Sequence, residues 1–127
     1  MADKIFKTEA EWRRQLTPAQ YKVMRQKATE APWSGEYVRE TRAGDYSCAA
    51  CGQTLFSSGA KFLSECGWPS FDEALPDAVR EIPDADGVRT EIVCARCGGH
   101  LGHVFRGEKF TAKNTRFCVN SAALKFK

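Results

Sequence analysis

Six cysteines and two histidines hold most of the reactive chemistry in this 127-residue chain, and their spacing sorts them into groups. Four of the cysteines form two CxxC pairs, Cys48-Ala-Ala-Cys51 and Cys94-Ala-Arg-Cys97, inside a shared pattern CAxCGxxL. The glycine after each pair, Gly52 or Gly98, suits a turn with positive φ that lets backbone N–H groups approach the sulfurs. A CxxC turn presents two thiolates at the bite of a tetrahedral zinc ion, so Cys48, Cys51, Cys94 and Cys97 would close the shell and leave no position for substrate or water. The spacing predicts one structural zinc per chain, clipping together two loops far apart in sequence. Two redox-active CxxC motifs are the competing assignment. It is weaker, because neither pair opens a helix in a strand–helix–strand unit, the setting that lowers a thiol pKa in thioredoxin-like proteins.

Cys66 and Cys118 remain. In Thr115-Arg-Phe-Cys-Val-Asn120, strand alternation puts Arg116, Cys118 and Asn120 on one face and Phe117 and Val119 on the other. The second face reads as core. On the first, a guanidinium beside a thiol favours the nucleophilic thiolate. A lone cysteine is more often inert packing, but Cys118 together with His100, His103, Arg116 and Asn120 points to catalysis, with imidazole supplying acid or base near neutral pH. Cys66 lies in Ser64-Glu-Cys-Gly-Trp-Pro-Ser-Phe71, a loop by its Gly and Pro content. An accessible second thiol able to swing toward an oxidised first one is what a thiol-redox cycle needs. Trp68 beside it is either packed indole or the aromatic wall of a pocket for a small apolar group.

Two helices and a set of short strands must position these residues. Thr8-Glu-Ala-Glu11 is a capping box that predicts a helix over Glu9 to Gln15. Thr17-Pro-Ala-Gln20 repeats the signal with proline at the first helical position. The second helix puts Tyr21, Met24 and Ala28 on one face and must stop by Ala31, because Pro32 follows. Beyond Trp33, segments 45–47, 78–82, 88–93, 103–105, 115–120 and 123–126 read as strands, with Asp84-Ala-Asp-Gly87 a hairpin turn. The expected fold is mainly β (α+β): two antiparallel sheets as a sandwich or open barrel, helices over about 8–31 packed outside, and a β core over about 33–127. The whole chain, 1–127, reads as one domain.

Composition excludes several classes. Apolar residues make up 43%, as in a globular protein, and no apolar run is long enough to cross a bilayer. The start, Met1 to Thr8, lacks the hydrophobic centre of a signal peptide, and its early acids argue against a transit peptide. A soluble, cytoplasmic monomer without membrane contact is expected. Without an export signal, six cysteines point to metal or redox chemistry rather than a disulfide scaffold. The formal charge is +3, and zinc with four thiolates would bring it to about +1. That is too near neutral for nucleic-acid binding.

At this level the chain resembles the B-type methionine sulfoxide reductases nearly end to end. The likeness runs through Glu11-Trp-Arg-Arg-Gln-Leu-Thr-Pro18, Ser34-Gly-Glu-Tyr37, Cys48-Ala-Ala-Cys51-Gly52, Gly67-Trp-Pro-Ser-Phe71, His100-Leu-Gly-His-Val-Phe105 and Arg116-Phe-Cys-Val-Asn-Ser121. The resemblance implies two antiparallel sheets, N-terminal helices and a zinc remote from the active site. It makes Cys118 the nucleophile toward the sulfoxide sulfur and Cys66 the resolving cysteine. His100, His103, Asn120 and Arg116 become the polar active-site set, and Trp68, with Phe71 of the same motif, the substrate-binding residues. It further implies selectivity for the R epimer, protein-bound methionine sulfoxide as substrate, and thioredoxin as reductant. Where many members carry an acid soon after the His-Val-Phe segment, this chain has Arg106-Gly107 and then Glu108, so no carboxylate partner is assigned to the histidines. Phe117 stands in place of a common tyrosine. A zinc-ribbon-like binding module without catalysis is the alternative; it gives Cys118, Trp68 and the histidines no joint role.

Overall fold

In the computed structural model, the described residues are 4–127; Met1 to Asp3, part of the start read above for targeting signals, lie outside them. The capping boxes act as their sequences require. Thr8 and Thr17 each accept a hydrogen bond from the N–H three residues on, and the Glu11 and Gln20 side chains reach back to the capping N–H groups. They open α1 (Glu9–Gln15) and α2 (Pro18–Gln26). The second helix ends sooner than Pro32 demands. Lys27 turns left-handed (φ 57°) and the Ala28 N–H returns to the Lys22 carbonyl at 2.9 Å, so Ala28 lies outside the helix. Residues 27–44 then cross the molecule as turns.

Nine strands follow: β1 (Asp45–Cys48), β2 (Thr54–Ser57), β3 (Lys61–Phe62), β4 (Ser70–Phe71), β5 (Val79–Pro83), β6 (Thr90–Cys94), β7 (His100–Arg106), β8 (Thr115–Val119) and β9 (Leu124–Phe126). They form a three-stranded sheet, β2-β1-β9, and a six-stranded sheet, β3-β4-β8-β7-β6-β5, with antiparallel pairing throughout. The 84–87 turn joins β5 to β6. Three strands, β2, β3 and β4, fall outside the segments the sequence predicts as strands. β2 follows the first CxxC turn, and β4 is two residues long, too short to display a period. Its pairing with β8, Ser70 opposite Cys118 and Phe71 opposite Phe117, makes it a strand.

The core lies between the sheets and under the helices. Tyr46, Leu55, Phe56, Ile92, Leu101 and Val119 are fully buried, with Trp12 and Met24 covering them from the helices. Phe117 and Val119 face this core as alternation requires. Phe71 departs from its expected place at the substrate. It is fully buried, stacked on Phe56 with ring centroids 4.3 Å apart and packed edge-on against Tyr46 at 5.1 Å. The physical reason is alternation: Ser70 pairs beside Cys118, which turns Phe71 to the opposite, apolar face.

Candidate active site

The two CxxC turns are built alike. Gly52 and Gly98 take positive φ (81° and 76°), and their N–H groups bond back to the Cys48 and Cys94 carbonyls at 2.8 Å. The four sulfurs lie within 4.8 Å of one another. Cys48 and Cys97 are 3.7 Å apart and Cys51 and Cys94 3.6 Å, far beyond a disulfide bond of about 2.05 Å. Metal–thiolate bonds of about 2.3 Å in a tetrahedron give sulfur–sulfur edges of about 3.8 Å. The cluster therefore fits a metal ion, and it ties β1 of one sheet to β6 of the other. None of the four lines the pocket at Cys118.

That pocket, about 140 Å³, is walled by Trp68, His103, Phe105 and Arg116, with Cys66, Cys118 and Asn120 exposed to it. The β4–β8 pairing explains the meeting of the two cysteines. Pro69 accepts the Val119 N–H at 3.0 Å and Ser70 sits opposite Cys118, so Cys66, one turn earlier, is delivered to its side. Both face the same pocket, and Cys66 Sγ is held there by the Ser64 and Ser70 hydroxyls at 3.0 and 3.5 Å. The Cys66 thiol is pulled down to about 4, first by its neighbour Cys118, with the Ser64 and Ser70 hydroxyls assisting and burial opposing. The neighbouring Cys66, then burial, holds Cys118 far above the usual thiol range. Arg116 acts on Cys118 in the expected direction, against the neighbouring thiol and burial. Arg116 is also engaged elsewhere: Glu108 holds it at 2.8 and 3.2 Å, and it lies over the Phe105 ring at 4.5 Å.

A bulge sets the histidines. Residues i and i+3 of a regular strand point to opposite faces. In β7, Ile92 pairs with Gly102 but Val93 pairs with His100, leaving Leu101 as an extra residue. His100 and His103 are thereby brought to one side, ring centroids 5.7 Å apart. Only His103 reaches the pocket. Its Nε2 is 2.6 Å from an Asp84 carboxylate oxygen, a contact that holds the Asp84 carboxyl below its ordinary range. His100 is 2% exposed, with Nδ1 2.7 Å from Glu91 and no hydrogen-bond partner at Nε2 among the described residues. Burial pushes its pKa down, against the pull of Glu91, so it is held toward neutral imidazole. Glu91 is itself buried and bonded to Lys27 at 3.0 Å.

Glu30 is the third support that sequence reading missed. Its N–H donates to the Asn120 amide oxygen at 3.0 Å, and its carbonyl accepts the Trp68 indole N–H at 3.0 Å. Its carboxylate takes the N–H groups of Ser121 and Ala122 at 2.8 and 3.0 Å. Asn120 also donates to the Leu101 carbonyl at 3.0 Å, which leaves one amide hydrogen for the pocket. No local signal marks Glu30, Asp84 or Glu91: their partners lie 90, 19 and 9 residues away. Arg106 pairs bidentately with Glu81 at 2.8 Å, away from the histidines.

Two thiols at one pocket between a tryptophan and an imidazole make a redox centre, and the scaffold around them carries a metal-type cysteine cluster; the class is a thiol-dependent oxidoreductase. Comparison with known proteins gives the family. Residues 16–127 match the SelR domain. Peptide methionine sulfoxide reductase MsrB of Leifsonia xyli subsp. xyli is 55% identical over 125 residues, covering 96% of this chain and 90% of that protein. Peptide methionine sulfoxide reductase B5 of Oryza sativa subsp. japonica is 52% identical over 121 residues, covering 94% and 89%. The chloroplastic peptide methionine sulfoxide reductase B2 of Arabidopsis thaliana is 53% identical over 125 residues; the match takes in 98% of this chain and spans 62% of that protein's length. The chain belongs to the peptide methionine sulfoxide reductase B family and is a thiol-dependent oxidoreductase of that kind. In fold alone it is also similar to the Mis18 "Yippee-like" domain, with a TM-score of 0.52 at 18% identity over 68% of this chain and 96% of that one.

Proposed function

We propose that the chain reduces the R epimer of methionine sulfoxide, chiefly in oxidised proteins, with Cys118 as nucleophile, Cys66 as resolving thiol and thioredoxin as reductant. The observation that carries this reading is the meeting of Cys66 and Cys118 with Trp68, His103 and Asn120 at one pocket. Cys118 sulfur attacks the sulfoxide sulfur while its proton passes to Cys66. The sulfoxide oxygen takes a proton from His103, and an Asn120 N–H polarises the S–O bond. The S–O bond breaks, the oxygen returns as hydroxide to Cys118 sulfur, the Cys118–methionine S–S bond breaks with its electron pair going to methionine, and Cys118 is left as a sulfenic acid. Cys66 then attacks Cys118 sulfur; its proton leaves with the hydroxyl as water, and the disulfide forms. An external dithiol reduces it by exchange. Trp68 walls the substrate methyl. Arg116 lowers the energy of the Cys118 thiolate, and buried His100, fixed by Glu91, orients the second half of the bulge.

Cys48, Cys51, Cys94 and Cys97 would hold one zinc ion, whose contribution is structural: it locks the two sheets in register. The chain acts as a single domain, as a monomer, in the cytoplasm; among the described residues no helix is long and apolar enough to cross a membrane. A binding module without catalysis leaves the thiol pair and its imidazole without a role. The test is steady-state reduction of methionine-R-sulfoxide. Cys118→Ser abolishes it with any reductant. Cys66→Ser keeps one turnover but loses recycling by thioredoxin; unimpaired recycling in that variant removes Cys66 from the route.

A further inference from the structure

Three of the five large apolar side chains exposed among the described residues, Trp33, Leu63 and Phe110, lie on the side of the Cys118 pocket marked by Trp68, whereas Phe6 and Val88 lie elsewhere. Trp33 and Leu63 are 47% and 66% exposed and line, with Phe62 and Trp68, a groove of about 310 Å³. Phe110, 51% exposed, lies against Phe62 with ring centroids 5.7 Å apart and extends the same surface. Trp68 is the wall shared by groove and pocket. Trp33 is held there under strain. Its backbone is left-handed (φ 68°), a conformation a bulky residue rarely adopts, and its N–H is tied to the Gly67 carbonyl at 2.7 Å. Gly67, at φ 96°, allows this approach, since a Cβ there would fall 2.6 Å from Pro32 Cβ. The loop of Cys66 and the loop of Trp33 are therefore one rigid piece.

A pocket of this size takes one side chain. The main chain of a polypeptide whose methionine sulfoxide enters it stays outside, and neighbouring residues follow at about 3.3 Å per residue, on the side where Trp68 separates pocket from groove. We infer that the groove binds the residue beside methionine sulfoxide in a polypeptide substrate and selects an apolar side chain there, with Trp33 and Leu63 setting the preference. This rests on the reading of the Cys118 pocket as the sulfoxide site. Arg39, over the Trp33 ring at 4.9 Å, and Glu65 stand at the rim with opposite charges, so the groove favours neither sign and its selectivity is apolar.

The test measures kcat/KM with dithiothreitol as reductant on three substrates: N-acetyl-methionine-R-sulfoxide amide, a pentapeptide with leucines flanking the sulfoxide, and one with aspartates there. The wild type prefers the leucine peptide to the aspartate peptide by about tenfold. Leu63→Glu, at an exposed site that folding tolerates, abolishes that preference and leaves the amide within about twofold; Trp33→Ala gives the same pattern. Equal wild-type rates on the two peptides overturn the inference, as does an equal loss on amide and peptides in Leu63→Glu. A loss seen only when thioredoxin replaces dithiothreitol assigns the groove to the reductant and overturns it too. A wild type active on none of the three refutes the sulfoxide site itself, and this inference with it.

Discussion

His103 lies directly opposite Cys118 in the β7–β8 ladder. That single register places an imidazole and a thiol at one pocket, and it depends on Gly102, whose absent side chain lets the strands close. A Cβ at Gly102 would stand 1.9 Å from the Cys118 carbonyl oxygen, backbone that cannot yield locally. Gly102→Ala should therefore push β8 away, cost about 1–3 kcal/mol of stability, and remove sulfoxide reduction even where the variant remains folded. Denaturant midpoint and turnover measured together check this; a stable, fully active variant contradicts it.

The thiol pair makes a second prediction. The Cys66 thiol is pulled below the usual thiol range, first by its neighbour Cys118 and then by the Ser64 and Ser70 hydroxyls. Alkylation at about pH 6, followed by peptide mapping, should modify Cys66 ahead of Cys118, and Cys118→Ala should slow Cys66 alkylation at least about tenfold as its pKa rises. An unchanged Cys66 rate in that variant would place the cause of the shift elsewhere.

His100 gives a pH dependence with a definite sign. Its folded pKa lies below its unfolded value because burial disfavours the charged ring. The unfolded chain then gains a proton as pH falls below about 6.5 while the folded one does not, so stability is full above that pH and declines toward the lower folded value. His100→Asn should flatten this decline. Chemical denaturation at pH 7.5 and 5.5, in wild type and variant, measures it; parallel curves would show that His100 does not titrate between those states.

Metal removal is a fourth. With four sulfurs set for a tetrahedral shell across two sheets, chelation or Cys48→Ser should unfold the β core rather than only slow turnover, because metal binding and folding are linked. Metal analysis should give one ion per chain. A folded, metal-free protein would refute the clip.

Much of this arrangement was legible in sequence, for reasons that differ by element. Capping boxes and CxxC turns are local devices whose partners lie within a few residues, so α1, the start of α2 and both cysteine turns could be read directly. Alternation around Cys118 was legible because Phe117 and Val119 are strongly apolar. The bulge at Leu101 was not, since the pairing partner and not the strand reveals an extra residue, and with it went the separation of His103 from His100. The carboxylates were sought just after the His-Val-Phe segment; they come instead from the β5–β6 turn and from β6, as Asp84 and Glu91. Phe71 failed for a related reason: β4 has two residues, and its facing is decided by β8.

The most direct measurement maps the sulfurs after a single turnover without reductant. The wild-type protein, given excess methionine-R-sulfoxide, should release one methionine per chain and yield one disulfide, between Cys66 and Cys118, with Cys48, Cys51, Cys94 and Cys97 still metal-bound and reduced. A disulfide involving any of those four, or methionine formed when Cys118 is replaced by serine, would contradict the account.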